Sequence, residues 1–98
     1  MQINFTGHGI EVTDALHNLI EKKFQKIIRH YKNVITSINV VLNVQKLTHV
    51  AEAIVHIKGA EIVANASDEN MYKAIDQMIL KLDKQLIKHR DKETNHRD

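Results

Sequence analysis

The sequence predicts an α+β fold, a two-layer α/β sandwich of order β-α-β-β-β-α, with two helices packed on one face of a four-stranded sheet. Two stretches carry apolar residues at helical spacing, one in each half of the chain. Between them, three stretches alternate apolar with polar residues, the period of half-buried strands, and a shorter one opens the chain. Both helices must bury their stripes on the same sheet face. Their polar faces then point outward together.

Gln2 to Thr6 places Ile3 and Phe5 on one side and reads as a short strand closed by Gly7-His8-Gly9. Thr13 offers an N-cap, and Asp14 puts a negative charge in the first turn, where the helix dipole favours it. From Asp14 to about Lys32, the residues Leu16, Ile20, Phe24, Ile27 and Tyr31 form a single apolar stripe. Ser37 to Gln45 switches to period two, with Ile38, Val40, Leu42 and Val44 on one side. Lys46-Leu47-Thr48-His49 is the predicted turn. Val50 to Lys58 alternates again, with Ala51, Ala53, Val55 and Ile57 inward. Gly59-Ala60 closes a tight hairpin into a strand from Glu61 to Ala66 that turns Ile62, Ala64 and Ala66 inward. Small alanines on neighbouring strands allow a helix to approach the sheet closely. Ser67 or Asp68 is the expected cap of the second helix, which runs to about Arg90 with Met71, Ile75, Met78, Ile79, Leu82 and Leu86 on its buried side.

Residues 1–90 therefore read as one domain, and 91–98 as a short polar tail expected to be disordered. Of 98 residues, 43% are apolar and 27% charged, ordinary values for a folded domain. The chain has no cysteine, which excludes disulfides and thiolate metal sites and suits a reducing compartment. Met1 to Thr6 lacks the basic and apolar regions of a signal peptide, and no apolar run is long enough to span a bilayer, so a cytoplasmic protein is expected.

The formal net charge is only +2, but the charge is segregated. Most Lys and Arg residues lie in the two predicted helices, and most acids lie outside them. On the second helix Lys73, Lys81, Lys84 and Lys88 fall within a sector of about 80°, with Gln77 among them and no acid. On the first, Lys22, Lys26 and Arg29 lie opposite the apolar stripe, with Lys23 and His30 at the border. Packed side by side, these stripes are expected to form one basic surface suited to backbone phosphates. The bland alternative, lysines kept for solubility, remains open for any single residue.

Other chemistries find less support. The four aromatics Phe5, Phe24, Tyr31 and Tyr72 all read as at least partly buried, leaving no stacking platform for single strands, so phosphate geometry is favoured over base reading. Seven histidines show no zinc-ligand spacing, so no metal or cofactor is expected. No nucleophile has matched partners, and Asp76 and Asp83 are too far apart along the helix to share a proton, so no enzyme is expected. Leu80 and Ile87 flank the lysines and read either as scattered surface apolars or as a contact patch. With Val41, Ile54 and Val63 on the outer sheet face, they keep open a protein-interaction or homodimeric module.

Met71-Tyr72-Lys73-Ala74-Ile75-Asp76 and Lys81-Leu82-Asp83-Lys84-Gln85-Leu86-Ile87-Lys88-His89-Arg90 closely resemble the second helix of bacterial ribosome hibernation factors. Met1-Gln2-Ile3-Asn4-Phe5-Thr6-Gly7, Val12-Thr13-Asp14-Ala15-Leu16 and Lys46-Leu47-Thr48-His49 match as well. The resemblance implies binding in the mRNA channel of the small ribosomal subunit, overlapping the tRNA sites, with rRNA contacts at Lys23, Lys26, Lys81, Lys84, Lys88, Arg90 and Lys92. Lys22 and Arg29 join that set from charge geometry alone. The resemblance further implies translation inhibition when growth stops and pairing of inactive ribosomes together with a separate ribosome modulation protein. The chain itself is expected to be a monomer off the ribosome. Its end at Asp98, without a second domain or an acid-rich tail, is expected of the family's short form.

Overall fold

The computed structural model describes the backbone of residues 2–95 and the side chains of residues 2–90. The order is β1 (Ile3–His8), α1 (Asp14–Tyr31), β2 (Ile35–Gln45), β3 (Thr48–Ile57), β4 (Ala60–Asp68) and α2 (Met71–Asn95), the predicted β-α-β-β-β-α. The strands form one mixed sheet in the order β1-β2-β3-β4. β1 pairs with β2 in parallel across the α1 crossover, and the β2–β3 and β3–β4 pairs are antiparallel hairpins.

The predicted stripes become the core. Leu16, Ile20, Phe24, Ile27 and Tyr31 of α1 are buried against the inner faces of the strands. On α2, Met71, Ala74, Ile75, Met78, Leu82 and Leu86 are buried, with Ile79 packed at the rim. The inner floor beneath α2 is made of alanine. Ala51 pairs with Ala66 and Ala53 with Ala64 across β3 and β4, and all four are buried. With no larger side chain to hold it off, α2 settles on these two strands. α1 lies towards β1, where the His17 ring stacks on Phe5 with centroids 4.3 Å apart.

Local signals explain the element ends. Thr13 caps α1 as predicted: its hydroxyl accepts from the Leu16 N–H at 3.2 Å. Gly9 follows β1 with φ 70° and lies so close to the Val44 carbonyl that a Cβ would collide with it. The first hairpin turn is tighter than expected. Gln45 pairs directly with Thr48, and Lys46 takes the left-handed conformation at φ 57°.

Two expectations for α2 are corrected. Its cap is Asn70, not Ser67 or Asp68. The Asn70 Oδ1 accepts from the N–H groups of Tyr72 (2.8 Å) and Lys73 (3.3 Å), and Asp68 in turn accepts from the Asn70 N–H at 2.9 Å. Ser67 and Asp68 are unavailable because β4 keeps pairing with β3 as far as His49↔Asp68. The helix also continues to Asn95, beyond the end expected at about Arg90, because no proline or glycine interrupts it there.

Asn70→Ala should lower stability by about 1 kcal/mol in urea unfolding, whereas Ser67→Ala should change it by less than about 0.5 kcal/mol. Ala53→Leu should cost roughly 1–3 kcal/mol, because the added volume lifts α2 off the sheet.

Candidate nucleic-acid interface

The two helices lie side by side and run parallel. Lys23 of α1 forms an ion pair with Asp76 of α2. Further along both helices, Lys26, His30 and Tyr31 share a shallow furrow with Asp83, Ile87 and Arg90. The same ends of both helices therefore meet, and the furrow between them is a seam rather than part of one basic plate. The expected basic surface thus carries two acids, Asp76 and Asp83, along its middle. Asp76, Asp83, Ile79 and Leu80 turn towards α1, and the basic residues rise on either side.

On the α1 ridge, Lys22, Lys26 and Arg29 are exposed, as their position opposite the apolar stripe requires. Lys23 is different. It is half-buried at the seam and neutralised locally by Asp76, so it positions the helices more than it attracts anions.

On the α2 ridge, Lys73, Lys84 and Lys88 are exposed, and Arg90 lies at the end of the seam. Lys81 leans the other way, over the outer edge of β4, where its Nζ donates to the Asn65 carbonyl at 3.0 Å. An ammonium has three donors, so the bond fixes its position and still leaves N–H groups for a phosphate. Lys92 lies outside the described side chains. The predicted cations thus fall into two ridges, with Lys22, Lys26 and Arg29 on one and Lys81, Lys84 and Lys88 on the other.

The arrangement can bind anions from outside, and it lacks the depth of a reaction site. Lysines and arginines on stiff helices have fixed anchor points, and their flexible stems let the charged heads adapt to a phosphate backbone. They match a phosphate backbone better than a small buried ligand. Two features escaped the sequence reading. Tyr72 is 57% exposed at the first turn of α2, more open than its aromatic character suggests. The helix wheel does not show this, since Tyr72 lies one heptad, about 20°, from the core-packed Ile79.

On the other side of the molecule, Ser37, His56 and Glu61 come together across three strands. The Ser37 Oγ lies 3.0 Å from His56 Nδ1, and the Glu61 Oε2 lies 2.9 Å from His56 Nε2. Residues so distant in sequence give no linear signal; only the register of β2, β3 and β4 brings them together. His56 and Glu61 are about half exposed on the open sheet face. Water screens charge there, so the group works as a cross-strand tie and not as a preorganised relay. Among the described residues, no cluster of three or more His, Cys, Asp or Glu is placed to hold a metal ion. No helix described is long and apolar enough to cross a membrane.

A profile of the sigma 54 modulation protein / S30EA ribosomal protein family matches residues 3–94. The chain is 50% identical over 93 residues to the ribosome hibernation promoting factor of Azotobacter vinelandii, covering 95% of this chain and 86% of that one. It is 44% identical over 96 residues to the ribosome hibernation promoting factor of Escherichia coli K12, covering 98% and 100% of the two chains. Among solved structures, a ribosomal subunit interface protein from Coxiella burnetii superposes with a TM-score of 0.86 at 34% identity, over 93% of this chain and 99% of that one. The N-terminal domain of Thermus thermophilus Protein Y gives 0.78 at 30% identity, over 87% and 94%.

The seam acids oppose anion binding by their position. Asp76→Asn should therefore release Lys23 and move elution from a heparin column to higher salt. Stability should change by less than about 1 kcal/mol, since both partners stay partly in contact with water. An unchanged elution position would show that Lys23 adds nothing to the basic surface.

Proposed function

This chain belongs to the sigma 54 modulation protein / S30EA ribosomal protein family, and on that premise we propose that it is a ribosome hibernation factor. It binds the small ribosomal subunit through rRNA phosphates and lies in the mRNA channel near the tRNA sites, where its bulk excludes mRNA and tRNA. The observation that carries this reading is the pair of exposed basic ridges on two parallel helices. Lys22, Lys26 and Arg29 stand on one side of the seam and Lys81, Lys84 and Lys88 on the other. The names of the relatives, ribosome hibernation promoting factor and ribosomal subunit interface protein, support the target.

The mechanism is occupancy, not catalysis. Each phosphate met by a lysine or arginine displaces condensed counterions, so affinity comes largely from ion release and falls steeply with salt. A folded domain with helix-borne charges loses little conformational freedom on binding, which favours a rigid plug over a flexible tail. Acting in the cytoplasm on ribosomes idle when growth stops, it inhibits translation. With a separate ribosome modulation protein, it promotes the pairing of inactive ribosomes.

A second reading rests on exposed apolar groups. Leu80 is 62% exposed, and Val63 and Ile87 are 39% and 37% exposed. A protein-interaction or homodimeric module would use these residues and would associate with little dependence on salt.

Cosedimentation with ribosomes separates the two. Lys84→Glu/Lys88→Glu should weaken binding at least tenfold, about 1.4 kcal/mol, and flatten its salt dependence. The thermal midpoint should barely move, because both side chains are exposed. Lys22→Glu/Lys26→Glu should behave alike. Undiminished binding by both variants, or salt-insensitive self-association of the unaltered chain, would favour the second reading.

A further inference from the structure

β4 is an edge strand, paired with β3 on one side only. A strand edge presents N–H and C=O groups that template pairing with another chain. Here α2 reaches over that edge. Lys81 Nζ donates to the Asn65 carbonyl at 3.0 Å, and Gln85 Nε2 donates to the Val63 carbonyl at 2.9 Å. One turn earlier, Gln77 Nε2 reaches the Asp68 carboxylate at 3.4 Å. The match is geometric. Four helical residues rise about 6 Å and two strand residues about 6.8 Å, so side chains four apart on α2 meet carbonyls two apart on β4. In an antiparallel strand a residue's N–H and C=O point the same way, so the Val63 and Asn65 amides line the same free edge.

We propose that Lys81 and Gln85 are edge guards, which hold β4 closed against antiparallel pairing with β4 of a second copy of this chain. A second copy is the fitting occupant because β4 is self-complementary about Ala64. A two-fold axis there sets Val63 opposite Asn65 of the other copy and Glu61 opposite Ser67, with no like charges opposed. The two Val63 side chains become diagonal neighbours on the open face. Each pairs with Ile54 of its own sheet, so two small apolar patches join into one. The inference does not depend on ribosome binding. It also separates Lys81 from Lys84 and Lys88: Lys81 hydrogen-bonds to a backbone carbonyl of the sheet.

The test is the double variant Lys81→Ala/Gln85→Ala, compared with the unaltered chain by sedimentation velocity and amide hydrogen exchange. The expected result is a monomer in the unaltered chain and a doubled mass in the variant, with slowed exchange at the Val63 and Asn65 amides. Lys84→Ala/Lys88→Ala removes more charge while leaving both guards in place and should stay monomeric. Adding Asn65→Pro deletes an outward N–H that an edge strand can spare and should return the double variant to a monomer. A monomeric double variant with unchanged exchange at Val63 and Asn65 overturns the proposal. So does equal dimerisation of the Lys84/Lys88 variant, or a dimer that survives Asn65→Pro. Should the proline variant not fold, slowed exchange confined to the β4 edge locates the interface by itself.

Discussion

The close seat of α2 on an alanine floor is the constraint from which the rest of the surface follows. Ala51, Ala53, Ala64 and Ala66 face each other across β3 and β4, and Ala74 on the helix is buried above them. Interiors pack at crystal-like density, so small side chains on one layer draw the other layer in. At that distance, the side chains flanking the apolar stripe have fixed neighbours. Those on one flank reach the β4 edge, and those on the other reach α1. A larger residue in the floor would move both sets of contacts together.

This packing also decides what the charges can do. The net charge is small, and the acids are not simply absent from the helices. Two of them, Asp76 and Asp83, lie where α1 and α2 meet, and there Asp76 neutralises Lys23. The outward ridges are left with cations of one sign. Such segregation gives a local potential that a net charge of +2 does not suggest. Parallel helices add to the order, since both carry their basic positions along the same direction of the seam. The proposed contact with rRNA phosphates draws on this arrangement.

Where local physics was complete within a few residues, the chain could be read directly. The five-residue stripe of α1 and its Thr13 cap depend on contacts within one helix, and both stand as expected. The alternating strands are equally local, because the side-chain period of two is a property of the backbone. The α2 cap is Asn70, two or three residues beyond the expected Ser67 or Asp68. The choice depends on how far β4 pairs with β3, a non-local fact. Tyr72 is more open than expected for a related reason: it lies one heptad from the core-packed Ile79, and only the tertiary structure leaves this first-turn position uncovered.

The sequence by itself determined the element order, the two buried stripes, the alanine floor and the identity of the basic ridge residues, because periodicity and residue size act through the nearest turns and pleats. Only the tertiary structure decided that Asp76 and Asp83 line the seam between the ridges, that Ser37, His56 and Glu61 meet across three strands, and that Lys81 and Gln85 close the β4 edge. Those arrangements join residues far apart in the chain. Their distances are set by strand register and by the height of α2 above the sheet, and no local pattern carries either quantity.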